Sequence, residues 1–195
     1  MTDHPIDASI YQILKARLLA VAPRNDTACT PAAVLIPIIL KNNAPHVIFT
    51  RRSMTVATHK GQVSFPGGMM EPSDASAVDT ALREAFEEIG LPAANVTAVG
   101  YLDGLRTITD FWITPVVGIV HTPFEYRPEE AEVAEVFDVP LTMLQQLDRW
   151  QIGERNYNGI NYRDYRFPWN GHTIWGATGK LTFALIERMG QSAPD

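Results

Sequence analysis

Residues Gly67 to Leu91 read GGMMEPSDASAVDTALREAFEEIGL, and this stretch decides the fold. Its second half, Arg83-Glu84-Ala85-Phe86-Glu87-Glu88-Ile89-Gly90-Leu91, sets three glutamates just before a glycine that stops a helix. Successive helical residues advance by roughly 100°. With Leu82 as origin, Val78, Ala85, Phe86 and Ile89 lie within about 60° of it, which predicts a core-facing stripe. On the same step Glu84, Glu87 and Glu88 fall at about 200°, 140° and 240°, on the opposite face. Residues three and four apart are neighbours on a helix surface, so the three acids share one patch.

Bunched like charges weaken a bare helix, and negative charge near a helix C-terminus opposes the dipole. A bound hard cation reverses both penalties. Ligands that are all oxygen suit Mg²⁺ or Mn²⁺, and Mg²⁺ leaves much of its shell to water and substrate phosphates. Ala77 and Thr80 are small and leave room for a ligand. The plain alternative is a solvated acidic helix face capped by Gly90. The upstream glycines weigh against it. Pro66-Gly67-Gly68 follows the strand-like Gln62–Phe65, and a glycine pair there marks a sharp turn or a close approach of the backbone.

Outward from this stretch, helical spacing of Ile10, Ile13, Leu14 and Leu18 predicts a helix over about 7–21, with Asp7 as its N-cap. Strands are predicted at Ala33–Leu40, His46–Arg51, Gln62–Phe65, Val96–Leu102, Trp112–Val120 and Glu132–Val139. The motif helix is expected from about Ser73 to Ile89, with Asp74 in its first turn. A short helix over Leu141–Leu147 and a last one over Ala177–Met189 complete the pattern. The polar loop Asp103–Phe111 is expected to overhang the acids. Strands mixed with a few helices fit an α/β sandwich, organised as one domain over 1–195.

Composition bounds the function. A net charge of −6 argues against non-specific nucleic-acid binding, though bound cations and a local basic cluster can still attract an anionic small molecule. The single Cys29 excludes an intramolecular disulfide and gives no sign of an oxidising compartment. The N-terminus lacks a secretory pattern, and the apolar run Ala32–Leu40 is too short to span a membrane. A cytoplasmic protein with no membrane partner is the resulting expectation.

The motif resembles the Nudix box, G-x5-E-x7-R-E-U-x-E-E-x-G-U, where U is aliphatic. Gly68 matches the opening glycine, and Arg83, Glu84, Glu87, Glu88, Gly90 and Leu91 match the C-terminal half. The spacing from Gly68 to Arg83 is one residue longer than the pattern, the acid six places on is Asp74 rather than Glu, and Ala85 replaces a larger aliphatic. Upstream, Phe49-Thr50-Arg51-Arg52-Ser53 and His59-Lys60-Gly61-Gln62-Val63-Ser64-Phe65-Pro66-Gly67-Gly68 are similar to the signature LLTxRS and HxGQxxFPGG of coenzyme A pyrophosphatases. That branch also carries the extra residue in its box. Thr114–Gly118, Glu132-Val133, Phe137–Leu141 and Ile174–Thr178 look like the same branch.

The resemblance implies a Nudix-type α/β/α sandwich with a mixed central sheet, and hydrolysis of a diphosphate with Mg²⁺ or Mn²⁺. Glu84, Glu87 and Glu88 are the candidate metal ligands, with the Gly67 or Gly68 carbonyl as a further donor. Arg83 is expected to orient a glutamate of the box, with Asp74 or Glu87 as its partner. The general base is either a glutamate of the box or a later acid, for which Glu132 is the candidate. Arg51, Arg52 and Lys60 are the basic residues placed to meet the substrate's phosphates, and His59 is expected to support its own loop. Coenzyme A or a thioester of it is the implied substrate. Another nucleoside diphosphate derivative, such as ADP-ribose, is the nearest rival, and a non-catalytic nucleotide-binding module is the rival from another class. A homodimer is compatible with all of these.

Overall fold

A computed structural model describes residues 8–56, 58–121, 124–157 and 159–190. The chain begins with α1 (Ala8–Arg17), β1 (Thr30–Lys41), β2 (Ala44–Arg52), β3 (Val63–Ser64), β4 (Gly67–Met69) and α2 (Ala77–Ile89). It continues with β5 (Val96–Tyr101), β6 (Leu105–Arg106), β7 (Phe111–Val120), β8 (Val133–Pro140) and α3 (Leu141–Leu144). A hairpin-like run of β9 (Gln151–Tyr157), β10 (Ile160–Trp169) and β11 (His172–Ile174) leads into α4 (Gly176–Gly190).

β1 to β8 form a mixed sheet whose main path is β3-β2-β1-β7-β5. β1 is central, and its unbroken apolar run reflects burial on both faces: Leu35, Ile36, Ile38 and Ile39 are all buried. It pairs in parallel with β7 from Thr30↔Phe111 to Ile39↔Val120. On its other edge β4 covers Ala32 to Val34 and β2 covers Ile38 to Lys41, both antiparallel. Pro37, which has no N–H to give, fits because of this division. Alternate residues send their N–H to the same edge, and the Leu35 N–H goes to Pro66 O on the β4 side. Pro37 therefore faces the gap between β4 and β2, where no ladder bond is required.

One face of the sheet carries α2 over Ala33, Leu35, Ile39, Ile48, Val116, Val120 and Val133. The other face packs α1, α3, α4 and the β9–β11 sheet around Phe49, Phe65, Val117, Trp150 and Phe167. The architecture is the expected α/β/α sandwich with a mixed central sheet.

Several boundaries differ from the sequence reading. The N-terminal helix stops at Arg17, because the chain leaves it to form an isolated bridge between Leu19 and Tyr101; Asp7 lies outside the described residues. α2 begins at Ala77 rather than Ser73. Ser76 is its N-cap, accepting from the Asp79 N–H, and Asp74 therefore belongs to the loop before the helix. Gly67-Gly68 is a strand rather than a turn. The loop at Asp103–Phe111 contains β6 and is tied to α4 and the N-terminal segment: Asp103 accepts from Arg188 and Arg106 contacts Asp26. The β9–β11 sheet has no counterpart in the predicted elements.

Candidate active site

α2 lies on the sheet through its small residues. Ala81 and Ala85 are fully buried, and so are Thr80 and Ile89, while Phe86 is 59% exposed. The inward face is thus rotated away from the predicted stripe, and Phe86 belongs to the surface. The rotation brings Glu88 inside, at 3% exposure, with Glu84 beside it and Glu87 outermost. Alanines allow this because they let the helix axis approach the strands closely. Gly90, in the left-handed conformation at φ 69°, ends the helix, and its N–H returns to Phe86 O.

β4 supplies the opposite wall. A Cβ on Gly68 would stand 2.4 Å from Glu84 Oε1, so only glycine admits the Glu84 carboxylate here. A Cβ on Gly67 would meet Ala33 O at 2.4 Å, so Gly67 is required by the approach of β1. The Gly67 backbone lies close enough to Glu88 to oppose part of the cost of its burial. The glycine pair therefore lets β4 lie against β1 and against the Glu84 carboxylate at once.

Arg83 organises the outer edge. Its Nε and Nη2 donate to Asp74 Oδ1 and Oδ2, each at 3.1 Å, as a bidentate fork. Nη1 reaches Glu84 Oε1 and Glu87 Oε2, each at 3.0 Å, and Nη2 also reaches Met69 O at 3.0 Å. Asp74 further accepts from the Glu71 N–H and from Thr80 Oγ1. Both partners considered for Arg83 are thus engaged at once. Asp74 acts from its shifted register because the loop folds back on itself through Asp74 N–H to Glu71 O.

The electrostatics follow from this packing. The Arg83 fork, helped by the Glu71 N–H and Thr80, holds Asp74 well below its usual range, at about 2. Its carboxylate partners raise Arg83, chiefly Asp74. Burial raises Glu84, and the charges of Glu87 and Glu132 add to this against the pull of Arg83. Glu88 is pushed up to about 8, first by burial and then by Glu84 and Glu132, opposed by Arg52 and the Gly67 backbone. Two buried atoms here lack a hydrogen-bond partner among the described residues, Glu88 Oε2 and Arg52 Nε. Arg52 Nη1 stands 3.9 Å from Glu88 Oε1.

Glu84 and Glu88 suit a hard cation: they are carboxylates one helical turn apart, burial raises the pKa of both, and Glu88 has an orphaned oxygen. Among the described residues no three His, Cys, Asp or Glu side chains converge on one point as they stand. The reason is local, since Arg83 draws Glu84 and Glu87 to itself.

Glu132 sits in the turn just before β8, exposed, with its charge acting on both Glu84 and Glu88. Arg52 is on the acid side of the sheet. Arg51 is not: it shares the opposite face with Phe49 and Phe137, and Glu135 holds it at 3.2 Å. A register shift between Arg51 and Arg52 separates the two. His59 contacts Gln62 within its own loop, at 3.0 Å. Sequence reasoning placed Asp74 in the helix rather than the loop, and passed over Ser53 and Thr55, whose backbone N–H and hydroxyl respectively bind the backbone at Glu132 and Ala131. Only their position after Arg51-Arg52 could have drawn attention to them.

Comparison with known proteins agrees with this geometry. Residues 30–158 match the family model described as NUDIX domain. A Yersinia enterocolitica protein named "uncharacterized Nudix hydrolase NudL" is 41% identical over 160 residues, covering 82% of this chain and 80% of the relative. The Escherichia coli K12 protein of the same name is 37% identical over 159 residues, covering 82% of each. Among solved structures, a MutT protein from Methanosarcina mazei Go1 aligns with a TM-score of 0.51 at 17% identity, over 87% of this chain and all of that one. A Caenorhabditis elegans Ap4A hydrolase complex aligns with a TM-score of 0.50 at 16% identity, over 57% of this chain and 80% of its own. At these identities the two structures speak for the fold alone.

Proposed function

Because the chain belongs to the Nudix hydrolase family, we propose that it cleaves the diphosphate of coenzyme A or of its thioesters. The products are 4′-phosphopantetheine, or its acyl form, and adenosine 3′,5′-bisphosphate. The observation that carries this reading is the Glu84–Gly68 contact beside the partnerless buried atoms of Glu88 and Arg52. It describes two inward-facing acids, Glu84 against glycine backbone and Glu88 beside Arg52. Support for coenzyme A comes from the signature His59–Gly68. This stretch starts at the Arg52 backbone, where the Arg52 N–H donates to Gln62 O and the Gly61 N–H to Arg52 O, and ends on Glu84. Gly68, the last residue of that signature, therefore stands against Glu84.

Hydrolysis requires that water be positioned at a phosphorus, that phosphate charge be neutralised and that a proton be taken. A divalent cation, when bound, polarises the phosphate oxygens and makes water more acidic. Glu84 and Glu88 would hold it, with Glu87 as a third ligand. Arg83 keeps the helix and its loop in register through Asp74. Arg52 is placed to meet a phosphate oxygen, which would also satisfy its free Nε. Glu132 faces the two inner acids from outside and takes the water proton.

The test is a panel of coenzyme A, acetyl-coenzyme A, ADP-ribose, a dinucleoside polyphosphate and nucleoside triphosphates, with Mg²⁺ or Mn²⁺, read by chromatography of products. Hydrolysis of coenzyme A to the two named products is expected, and Glu88→Gln should abolish it with the fold retained. Rapid cleavage of ADP-ribose with coenzyme A untouched overturns the substrate. Full turnover in Glu88→Gln overturns the site, and a folded protein inert across the panel overturns catalysis itself.

A further inference from the structure

Glu132 is an exposed acid at a strand end, and such a residue is ordinarily free to wander. Here its backbone is fastened on two sides. On one side the Glu129 N–H donates to Glu88 O at 3.0 Å, and Glu129 O accepts the N–H groups of Glu132 and Val133 at 2.9 and 2.8 Å. The turn before β8 is therefore seated on the C-terminal end of α2.

On the other side stands the segment after β2. The Ser53 N–H donates to Glu132 O at 2.7 Å. Thr55 Oγ1 donates to the preceding carbonyl, Ala131 O, at 3.1 Å. The two hydroxyls are 2.7 Å apart, and the Thr55 N–H donates to Ser53 Oγ at 3.3 Å. The proton directions close without conflict. Since Thr55 Oγ1–H is committed to Ala131 O, Ser53 Oγ–H donates to Thr55 Oγ1, and Ser53 Oγ accepts from the Thr55 N–H. Two successive carbonyls of the Glu132 turn are thus gripped by two residues of one small hydroxyl turn.

This grip is coupled to Arg52. Across the register shift, Arg51 faces Glu135 and Arg52 faces Val133, so β8 carries Ala134 as an extra residue there. The shift brings Glu132 level with Ser53, next to the arginine that pairs with Glu88. Ser53 is 7% exposed, so its hydroxyl is committed to this turn and not to solvent.

We propose that Ser53 and Thr55 are positioning residues that hold Glu132 at a fixed place against the C-terminal end of α2, the helix that carries Glu84 and Glu88. The proposal rests on the reading of Glu132 as the acid that takes the water proton. Thr55→Val removes the donor to Ala131 O and keeps the β-branched shape.

The experiment is a double-mutant cycle of Thr55→Val with Glu132→Gln, measured on the diphosphate the panel selects, with Thr55→Ser as the conservative variant and a thermal melt of each protein. Expected is a fall in kcat of about tenfold or more for Thr55→Val with KM nearly unchanged, since a displaced group loses orientation while substrate binding remains. Thr55→Ser should restore kcat, and melting points should stay within about 4 °C. In the Glu132→Gln background Thr55→Val should cost nothing further. A Thr55→Val loss that persists in full in that background overturns positioning through Glu132, as does unchanged kcat in Thr55→Val while Glu132→Gln is impaired. Unchanged kcat in Glu132→Gln overturns the reading of Glu132 itself, and this inference with it.

Discussion

Gly68→Ala is the substitution whose consequence can be worked furthest. The added methyl would lie 2.4 Å from Glu84 Oε1, 2.6 Å from Cδ and 2.8 Å from Oε2. Non-bonded contacts of this kind relax at about 3.5 Å, so the carboxylate must retreat by roughly 1 Å. It can do so, because it ends a flexible side chain, and the fold should survive with a loss of about 1–3 kcal/mol for the tighter packing. Chemistry should suffer more. A misplacement of about 1 Å in a group that orients the reaction costs on the order of 100-fold, or about 2.7 kcal/mol in the barrier. A loss of orientation lies in kcat, so it should not be recovered by raising the substrate concentration. The assay is kcat at saturating Mg²⁺ alongside a thermal melt. Gly153→Ala is the control, because its added methyl meets nothing within 4 Å. Turnover in Gly68→Ala within about threefold of the parent would refute the reasoning, since it would mean that the position of Glu84 is not critical.

Arg83→Lys keeps the charge but cannot span Asp74, Glu84 and Glu87 together, and should lower turnover by about 10- to 100-fold at constant metal, read from initial rates. Asp74→Asn tests the fork through pH. A carboxyl lowered from 3.8 to about 2 stabilises the fold fully above 3.8, and that contribution fades as pH falls through about 2. The gap in melting temperature between parent and Asp74→Asn should therefore be flat from neutrality to about pH 5 and close only at more acid pH; a gap that already narrows between pH 7 and 5 contradicts the assignment. Leu14→Ala, at a site 1% exposed between α1 and the sheet, should cost about 2–5 kcal/mol in denaturant unfolding and leave kcat unchanged.

The chemistry of the site was more legible in the sequence than its orientation. Spacing alone placed Glu84, Glu87 and Glu88 on one patch, because helical geometry is set locally. It misjudged which face lies on the sheet, because apolar character was taken as the mark of burial. Phe86 is apolar and outside, whereas Glu88 is charged and inside. What seats α2 is closeness of approach, which small residues such as Ala81 and Ala85 permit. Asp74 was legible only as one of two possible partners for Arg83, for a different reason. Its partner depends on how the loop from Met70 to Ser76 closes, and counting residues does not encode that closure. The β9–β11 sheet was missed because Gln151–Trp169 is largely charged and polar with little alternation, and its strands are defined by pairing with one another. Arg51 and Arg52 looked equivalent as neighbours, but a strand sends neighbours to opposite faces.

The parallel partnership of β1 with β7 has a consequence for how the protein comes into being. Everything between Leu40 and Asp110, including the glycine pair and the whole of α2, is threaded through before β1 meets its neighbour. A helix of thirteen residues with three acids near its end holds little shape by itself in water. During synthesis, until Val120 has left the ribosome, α2 has only half of its bed. The growing chain thus carries every acid of the motif without the sheet that would aim them. Its capacity to destroy diphosphates arises with closure of the β1–β7 seam, a late and long-range event, and not with completion of the motif.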